Sequence, residues 1–243
     1  MSRIAVVTGA ASGIGAATAR RLADEGAELW LVDRAEDALR RLASSLSANW
    51  LVADVIEPGA AERAVEQAGG VDVLVTAAGA ILRRTAEQTS DAEWDAALAL
   101  NLTATFRFCR AAIPAMRERG GGSIVTVGSG WGLVAGPRAV AYAATKAAVV
   151  NLTRALAIDH GPEGIRANCV CPGDTSTPLL RDEYAQLGED ADAGIASSGA
   201  GRPLGRVAAP AEIAAAIAWL ASPDAGHVTG TTLVVDGGGL AGG

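Results

Sequence analysis

Apolar residues fall in short, unbroken runs along this chain: Ile4–Thr8, Glu28–Asp33, Trp50–Val55, Val71–Ala77, Ser123–Gly128, Arg166–Cys171 and Thr231–Val235. A strand with one wet face alternates apolar and polar residues, whereas a continuous run marks a strand covered on both faces. Between the runs lie Ala-rich stretches with Arg and Glu at helical spacing, among them Gly15–Glu25, Asp37–Ser44, Ala60–Ala68 and Tyr142–Asp159. Such alternation with short connections predicts an α/β fold, a doubly wound (Rossmann) parallel sheet of about seven strands with helices on both faces. No repeat or Ser/Pro-rich linker interrupts it, so residues 1–243 read as a single domain.

One stretch breaks the rhythm. Asp174–Arg206 is polar and rich in Gly, Ser, Ala and Asp. Long irregular insertions in compact domains are commonly lids, and the segment reads either as a substrate lid at about 174–206, with a short helix near Leu179–Leu187, or as disorder.

Composition narrows the function classes. No apolar run approaches the roughly 20 residues of a membrane span, and the N-terminal Met1-Ser2-Arg3-Ile4 enters a strand pattern at once, so no signal peptide is expected. Cys169 and Cys171 stand one residue apart in an apolar run, a spacing that suits buried free thiols and a cytoplasmic location. A net charge of −7 argues against nucleic acid or an anionic membrane as partner. With only His160 and His227 available, neither a metal site nor a His-based triad is expected.

The first strand runs into Thr8-Gly9-Ala10-Ala11-Ser12-Gly13-Ile14-Gly15 and then a helix. Glycines there allow a tight turn and close approach of a pyrophosphate, whose charge sits on the helix N-terminus. Asp33 ends the second strand 18 residues beyond Gly15, where a carboxylate accepts from ribose hydroxyls and repels a 2′-phosphate, favouring NAD over NADP. Arg34 beside it either grips a phosphate or is solvated. Asp54 either meets the adenine edge or caps a turn. Gly79 ends the fourth strand where the backbone passes close to the cofactor or turns sharply.

The chain holds one lysine, Lys146, four residues after Tyr142, one of two tyrosines. Four residues is one helical turn, so phenol and ammonium share a face. An adjacent positive charge favours the phenolate and is expected to lower a pKa that starts near 10. A tyrosine so placed is a general acid and base.

These motifs, taken in order from Thr8 to Gly238, resemble the short-chain dehydrogenase/reductase family in its single-domain branch of about 250 residues. The glycine pattern matches, as do Asp33 and Asp54, Asn101 in Asn-Leu-Thr-Ala-Thr-Phe, Ser129 at 13 residues before Tyr142, Pro172-Gly173, Thr229-Gly230 and Asp236-Gly237-Gly238. The resemblance implies an oxidoreductase that moves a hydride between NAD(P) and a secondary alcohol or ketone. Tyr142 would exchange the proton, Lys146 would stabilise its phenolate and hold the nicotinamide ribose, Ser129 would hydrogen-bond the substrate oxygen, and Asn101 would position a relay water. A cofactor-binding set of Gly9, Ser12, Gly13, Ile14, Gly15, Asp33, Asp54, Val55, Ala78, Gly79, Tyr142, Lys146, Pro172, Gly173, Thr175 and Thr177 follows, as does a homotetramer or homodimer with the Tyr142 helix at one interface. Taken singly, Ser129 between Gly128 and Gly130 reads as a turn serine, and Asn101 is open to reading as a helix-interior asparagine.

The family's Asn-Asn-Ala-Gly is Thr76-Ala77-Ala78-Gly79 here, so hydrogen bonds bracing the sheet must be replaced or forgone, with the Thr76 hydroxyl a partial substitute. Ile81, Leu82, Trp131, Val134, Leu179, Leu180 and Tyr184 flank the set and are mostly apolar, which predicts a neutral small-molecule substrate with an apolar body. Arg138 is a candidate for a substrate carboxylate or for solvent. Two alternatives stand beside the general alcohol dehydrogenase: a dihydrodiol or cyclic hydroxy-acid dehydrogenase, suggested by Pro172–Pro178, and a non-catalytic NAD-binding protein on the same fold.

Overall fold

The structure, a computed structural model, describes residues 2–241; Met1, Gly242 and Gly243 of the expected single domain lie outside the described residues. Seven strands, β1 (Ile4–Thr8), β2 (Glu28–Asp33), β3 (Asn49–Val52), β4 (Val73–Thr76), β5 (Gly122–Val127), β6 (Ile165–Pro172) and β7 (Thr232–Val235), form one sheet in the order β3-β2-β1-β4-β5-β6-β7. Every pairing is parallel. The unbroken apolar runs have the expected cause: Ala5, Val6 and Val7 of β1 and Leu74 and Val75 of β4 are fully buried, with helices above and below.

On one face α1 (Gly13–Asp24), α2 (Glu36–Leu46) and α9 (Pro210–Ala221) bury Leu22, Leu39, Ile213 and Ile217. On the other, α3 (Ala60–Ala68), α5 (Ala104–Glu118) and α6 (Val140–His160) bury Ala64, Phe108, Met116 and Leu156. Each large side chain so covered contributes about 1.5–3 kcal/mol of transfer free energy. Helix α4 (Asp91–Ala97) leads through a wide turn of π geometry, Leu98–Thr103, into α5.

Boundaries moved at functional places. β3 stops at Val52, so Asp54 and Val55 lie in the loop beyond it, and Asp54 Oδ1 accepts from the Ile56 amide in a turn. The 174–206 excursion is ordered and holds two helices, α7 (Pro178–Leu187) and α8 (Ala191–Ala200). The second escaped the sequence because its Gly and Ser content opposes helix propensity. Contact explains it: a Cβ on Gly194 would overlap the Tyr184 ring, and one on Gly199 would meet the Arg206 and Val207 backbone. The ends of the excursion are joined by the Ala208 amide donating to the Asp174 carbonyl and the Ser176 amide to that of Ala208, at 2.9 Å each.

Candidate active site

Two clefts, of about 860 and 930 Å³, meet at the C-terminal ends of the strands and share Ile14, Ala77, Gly79, Thr177 and Leu179. A doubly wound sheet places its ligand site here, where β1 and β4 send their connections to opposite faces.

The first cleft is lined by Gly9, Ser12, Gly13, Ile14, Gly15, Asp33, Asp54, Val55, Ala78 and Gly79, all expected from the sequence, together with Thr177. Its glycines are required by close approach. Gly9 has φ +65° and its Cβ would lie 2.7 Å from the Ala78 amide, while a Cβ on Gly15 would overlap the Gly9 carbonyl. Ser12 makes no side-chain cap on α1 and no acid stands in the first turn, which leaves the helix N-terminus available to an anion. Asp33 accepts from the Ala11 amide at 3.0 Å and the Ala35 amide at 2.9 Å. Arg34 is tied to Asp54 at 3.3 Å.

The second cleft is lined by Ser129, Tyr142, Lys146, Pro172, Gly173, Thr175 and Thr177. Ser129 leaves β5 in extended conformation and caps a single 3-10 turn, its Oγ accepting from the Trp131 amide at 3.2 Å. Tyr142 and Lys146 lie one turn apart on α6, with Lys146 Nζ 5.7 Å from the phenol ring centroid. Lys146 is buried, and its ammonium donates to the Val127 carbonyl at 2.8 Å. Asn101 points inward from the π turn. Its Oδ1 accepts from the Ala80 amide, and its Nδ2 donates to the Ala80 carbonyl and, at 3.2 Å, to Thr145 Oγ1 of α6. Asn101 does not line either cleft; it fastens the segment after β4 to the helix that carries Tyr142. Gly79 sits between them, since its Cβ would stand 3.1 Å from Asn101 Oδ1 and 3.4 Å from Lys146 Nζ.

The titration of this pair runs against the expectation from spacing. Burial pushes the Tyr142 phenol up to about 12, with the nearby Ser129 hydroxyl acting the other way. Burial pushes Lys146 down to about 8, against the pull of the Cys169 and Cys171 sulfurs. Desolvation dominates both shifts, with Lys146 buried and Tyr142 half-buried.

Other expectations are also corrected. Thr76 Oγ1 is buried without a partner among the described residues, so it does not replace the missing asparagine bonds; Thr8 Oγ1 instead accepts weakly from the Ala78 amide at 3.4 Å. Arg138 is exposed, at φ +53°, and away from both clefts. Leu82, Val134 and Tyr184 do not line the clefts; Tyr184 packs on Gly194 of α8. Ile81, Trp131, Leu179 and Leu180 do line the second. That cleft is apolar over most of its lining, as expected, but four charged residues, Asp174, Glu183, Arg202 and Asp236, also line it, and Leu240 closes one side. Sequence reasoning missed Glu183, Arg202 and Leu240 because they arrive from segments distant in the chain.

Among the described residues no cluster of His, Cys, Asp and Glu is placed to hold a metal ion, and no helix is long and apolar enough to cross a membrane.

Comparison with known proteins agrees with this geometry. The family model described as Enoyl-(Acyl carrier protein) reductase matches residues 9–239. The chain is 42% identical over 245 residues to the cis-4-hydroxycyclohexanecarboxylate dehydrogenase of Sinomonas cyclohexanicum, covering 97% of this chain and 96% of that one. It is 37% identical over 248 residues to the 2,3-dihydro-2,3-dihydroxybenzoate dehydrogenase of Bacillus subtilis, covering 97% and 95%. Among solved structures, a single-substitution variant of the actinorhodin polyketide ketoreductase with NADPH superimposes with a TM-score of 0.92 at 36% identity, covering 98% of this chain and 97% of the other. A glycine cradle, a Tyr142–Lys146 helix and relatives matched over nearly their whole length make this chain a member of the short-chain dehydrogenase/reductase family.

Proposed function

We propose that this oxidoreductase oxidises a secondary alcohol, or reduces the matching ketone, with NAD as cofactor and Tyr142 as the acid and base. The observation that carries the reading is the convergence of Ser129, Tyr142 and Lys146 on one cleft that opens directly into the glycine-lined groove.

The residues present fit a dinucleotide. The pyrophosphate would lie on the Gly9–Gly15 turn, where any Cβ on Gly9 or Gly15 would collide with backbone, and the α1 N-terminus would face its charge. The adenosine ribose would meet Asp33. A carboxylate there opposes a 2′-phosphate, and Arg34, engaged by Asp54, is drawn away from such a phosphate; both features favour NAD. The cofactor supplies or accepts the hydride.

The chain's own groups manage the proton and the geometry. Held near 12 by burial, the Tyr142 phenol keeps its proton at neutral pH and can donate it to a carbonyl oxygen. The Ser129 hydroxyl beside it hydrogen-bonds the same oxygen as charge develops there. In the oxidising direction, the Lys146 ammonium opposes the cost of forming a phenolate. A lysine near 8 can also pass protons on at ordinary pH. Asn101 positions this helix through Thr145 and the Ala80 backbone, and the enclosed site strengthens each of these interactions.

The family relatives suggest ring-borne secondary alcohols, a dihydrodiol or cyclic hydroxy acid among them. A homo-oligomer built on α6 is part of the same proposal, supported by an outward face of Ala144, Ala147, Ala155 and Ile158. The reading is tested by mixing purified protein with NAD, and separately NADP, and a panel of cyclic and linear secondary alcohols, following nicotinamide absorbance. Turnover with NAD supports it; cofactor binding without turnover on any alcohol would favour a non-catalytic role.

A further inference from the structure

Trp131 stands between the phenol and a buried ion pair. Its ring lies edge-on to Tyr142, with centroids 6.4 Å apart, and the Arg83 guanidinium lies 4.8 Å from the Trp131 centroid. Arg83 is enclosed, with its side chain 6% exposed, and its NH1 donates to Glu183 Oε1 of α7 at 2.5 Å. Among the described residues its buried Nε has no partner.

Glu183, and not Arg83, lines the cleft. Its Oε1 is engaged by Arg83, and among the described residues its Oε2 has no hydrogen-bond partner. The cleft's other carboxylates are held by their own local partners, Asp236 through both oxygens and Asp174 through Oδ2. Asp236 accepts from the Gly238 and Leu240 amides, and Asp174 holds Ser198 and Arg202 of the lid. Glu183 is fixed in place by more than its ion pair. Gln186, one turn along α7, accepts from the Arg83 amide at 2.9 Å and donates to the Ile81 carbonyl at 3.1 Å.

Building on the alcohol-dehydrogenase reading above, we propose that Glu183 determines specificity: it accepts a hydrogen bond from a second hydroxyl of the substrate, and by masking Arg83 it keeps carboxylate substrates out. A carboxylate in the cleft accepts from a neutral donor and repels an anion. Without Glu183, the buried guanidinium beside Trp131 becomes the partner that a substrate carboxylate needs, in the bidentate manner for which arginine is shaped. The substrate class is then a diol or polyol rather than a hydroxy acid, which separates this chain from its hydroxycyclohexanecarboxylate-oxidising relative.

The test uses the full chain with NAD and alcohols on one ring: cyclohexanol, cis-1,2-cyclohexanediol and cis-4-hydroxycyclohexanecarboxylate. In the wild type, kcat/KM for the diol exceeds that for cyclohexanol by about tenfold or more, the scale set by a hydrogen bond to a buried charged acceptor. In Glu183→Ala that ratio falls towards one, and the hydroxycarboxylate-to-cyclohexanol ratio rises about tenfold. Adding Arg83→Met removes the second gain. Should Glu183→Ala fold poorly by thermal unfolding, Glu183→Gln, which keeps the shape and loses the charge, must still raise the hydroxycarboxylate ratio. Oxidation of the alcohols with ratios unchanged by these variants, or a wild type that prefers the hydroxycarboxylate, overturns the assignment of Glu183 alone. Silence from the wild type on all three alcohols overturns the underlying dehydrogenase reading and this inference with it.

Discussion

Replacing Lys146 with methionine should make the protein more stable near neutral pH while it disables the enzyme. The ammonium is buried, and its pKa falls from 10.5 to about 8. A lysine whose folded pKa is depressed makes the unfolded chain bind more protons between those two values, so stability rises with pH across that window. At about pH 7 both states are protonated, and the burial penalty is fully present at roughly 3 kcal/mol, taking 1.36 kcal/mol per pKa unit. Methionine has nearly the same length and removes the charge. It also leaves the Val127 carbonyl without its 2.8 Å donor, which costs about 1–2 kcal/mol. The net expectation is a gain of about 1–2 kcal/mol near pH 7, or roughly 2–8 °C in Tm for a domain of this size. The assay is paired thermal or urea unfolding of wild type and Lys146→Met from about pH 7 to about pH 10. The stability difference should shrink by about 2 kcal/mol over that range as the wild-type lysine neutralises in the fold. A difference that stays flat with pH would refute a buried ammonium; one that widens would reverse the sign of the argument.

Two further outcomes test other parts of the structure. Thr76→Val removes a buried hydroxyl that has no partner while keeping a β-branched side chain, and should raise stability by about 1 kcal/mol and Tm by about 2–4 °C; a lower Tm would mean the hydroxyl is bonded after all. Asp33→Ser removes the carboxylate that opposes a 2′-phosphate and should shift the NADP-to-NAD ratio of kcat/KM upward by about tenfold. An unchanged ratio would show that Asp33 does not face the ribose.

Features set by local chain geometry are legible in the sequence alone. The sheet follows from unbroken apolar runs, and the glycine turn from its place between β1 and α1. Tyr142 and Lys146 share a cleft because four residues is a helical turn. What escapes depends on contacts between distant segments. Glu183 meets Arg83 across 100 residues of sequence, and no pattern announces such a pair. Helix α8 forms against its own propensity because Gly194 and Gly199 admit Tyr184 and the 206–207 backbone. The π turn that aims Asn101 inward belongs to the same class, since backbone wound one residue wider leaves no mark in composition. The Tyr142 shift runs opposite to its expected direction for a related reason: spacing reports that a charge is near, while desolvation depends on the whole enclosure.

The central claim, that Tyr142 moves the proton, is tested most directly by Tyr142→Phe in the intact chain. This substitution removes one oxygen and leaves the ring edge against Trp131 unchanged. NAD binding, read from intrinsic Trp fluorescence, should stay near its wild-type value, while kcat on the best alcohol of the panel should fall by about 10²–10⁴-fold, the range for loss of a general acid–base group. A phenylalanine variant that binds NAD and turns over at the wild-type rate would contradict the account.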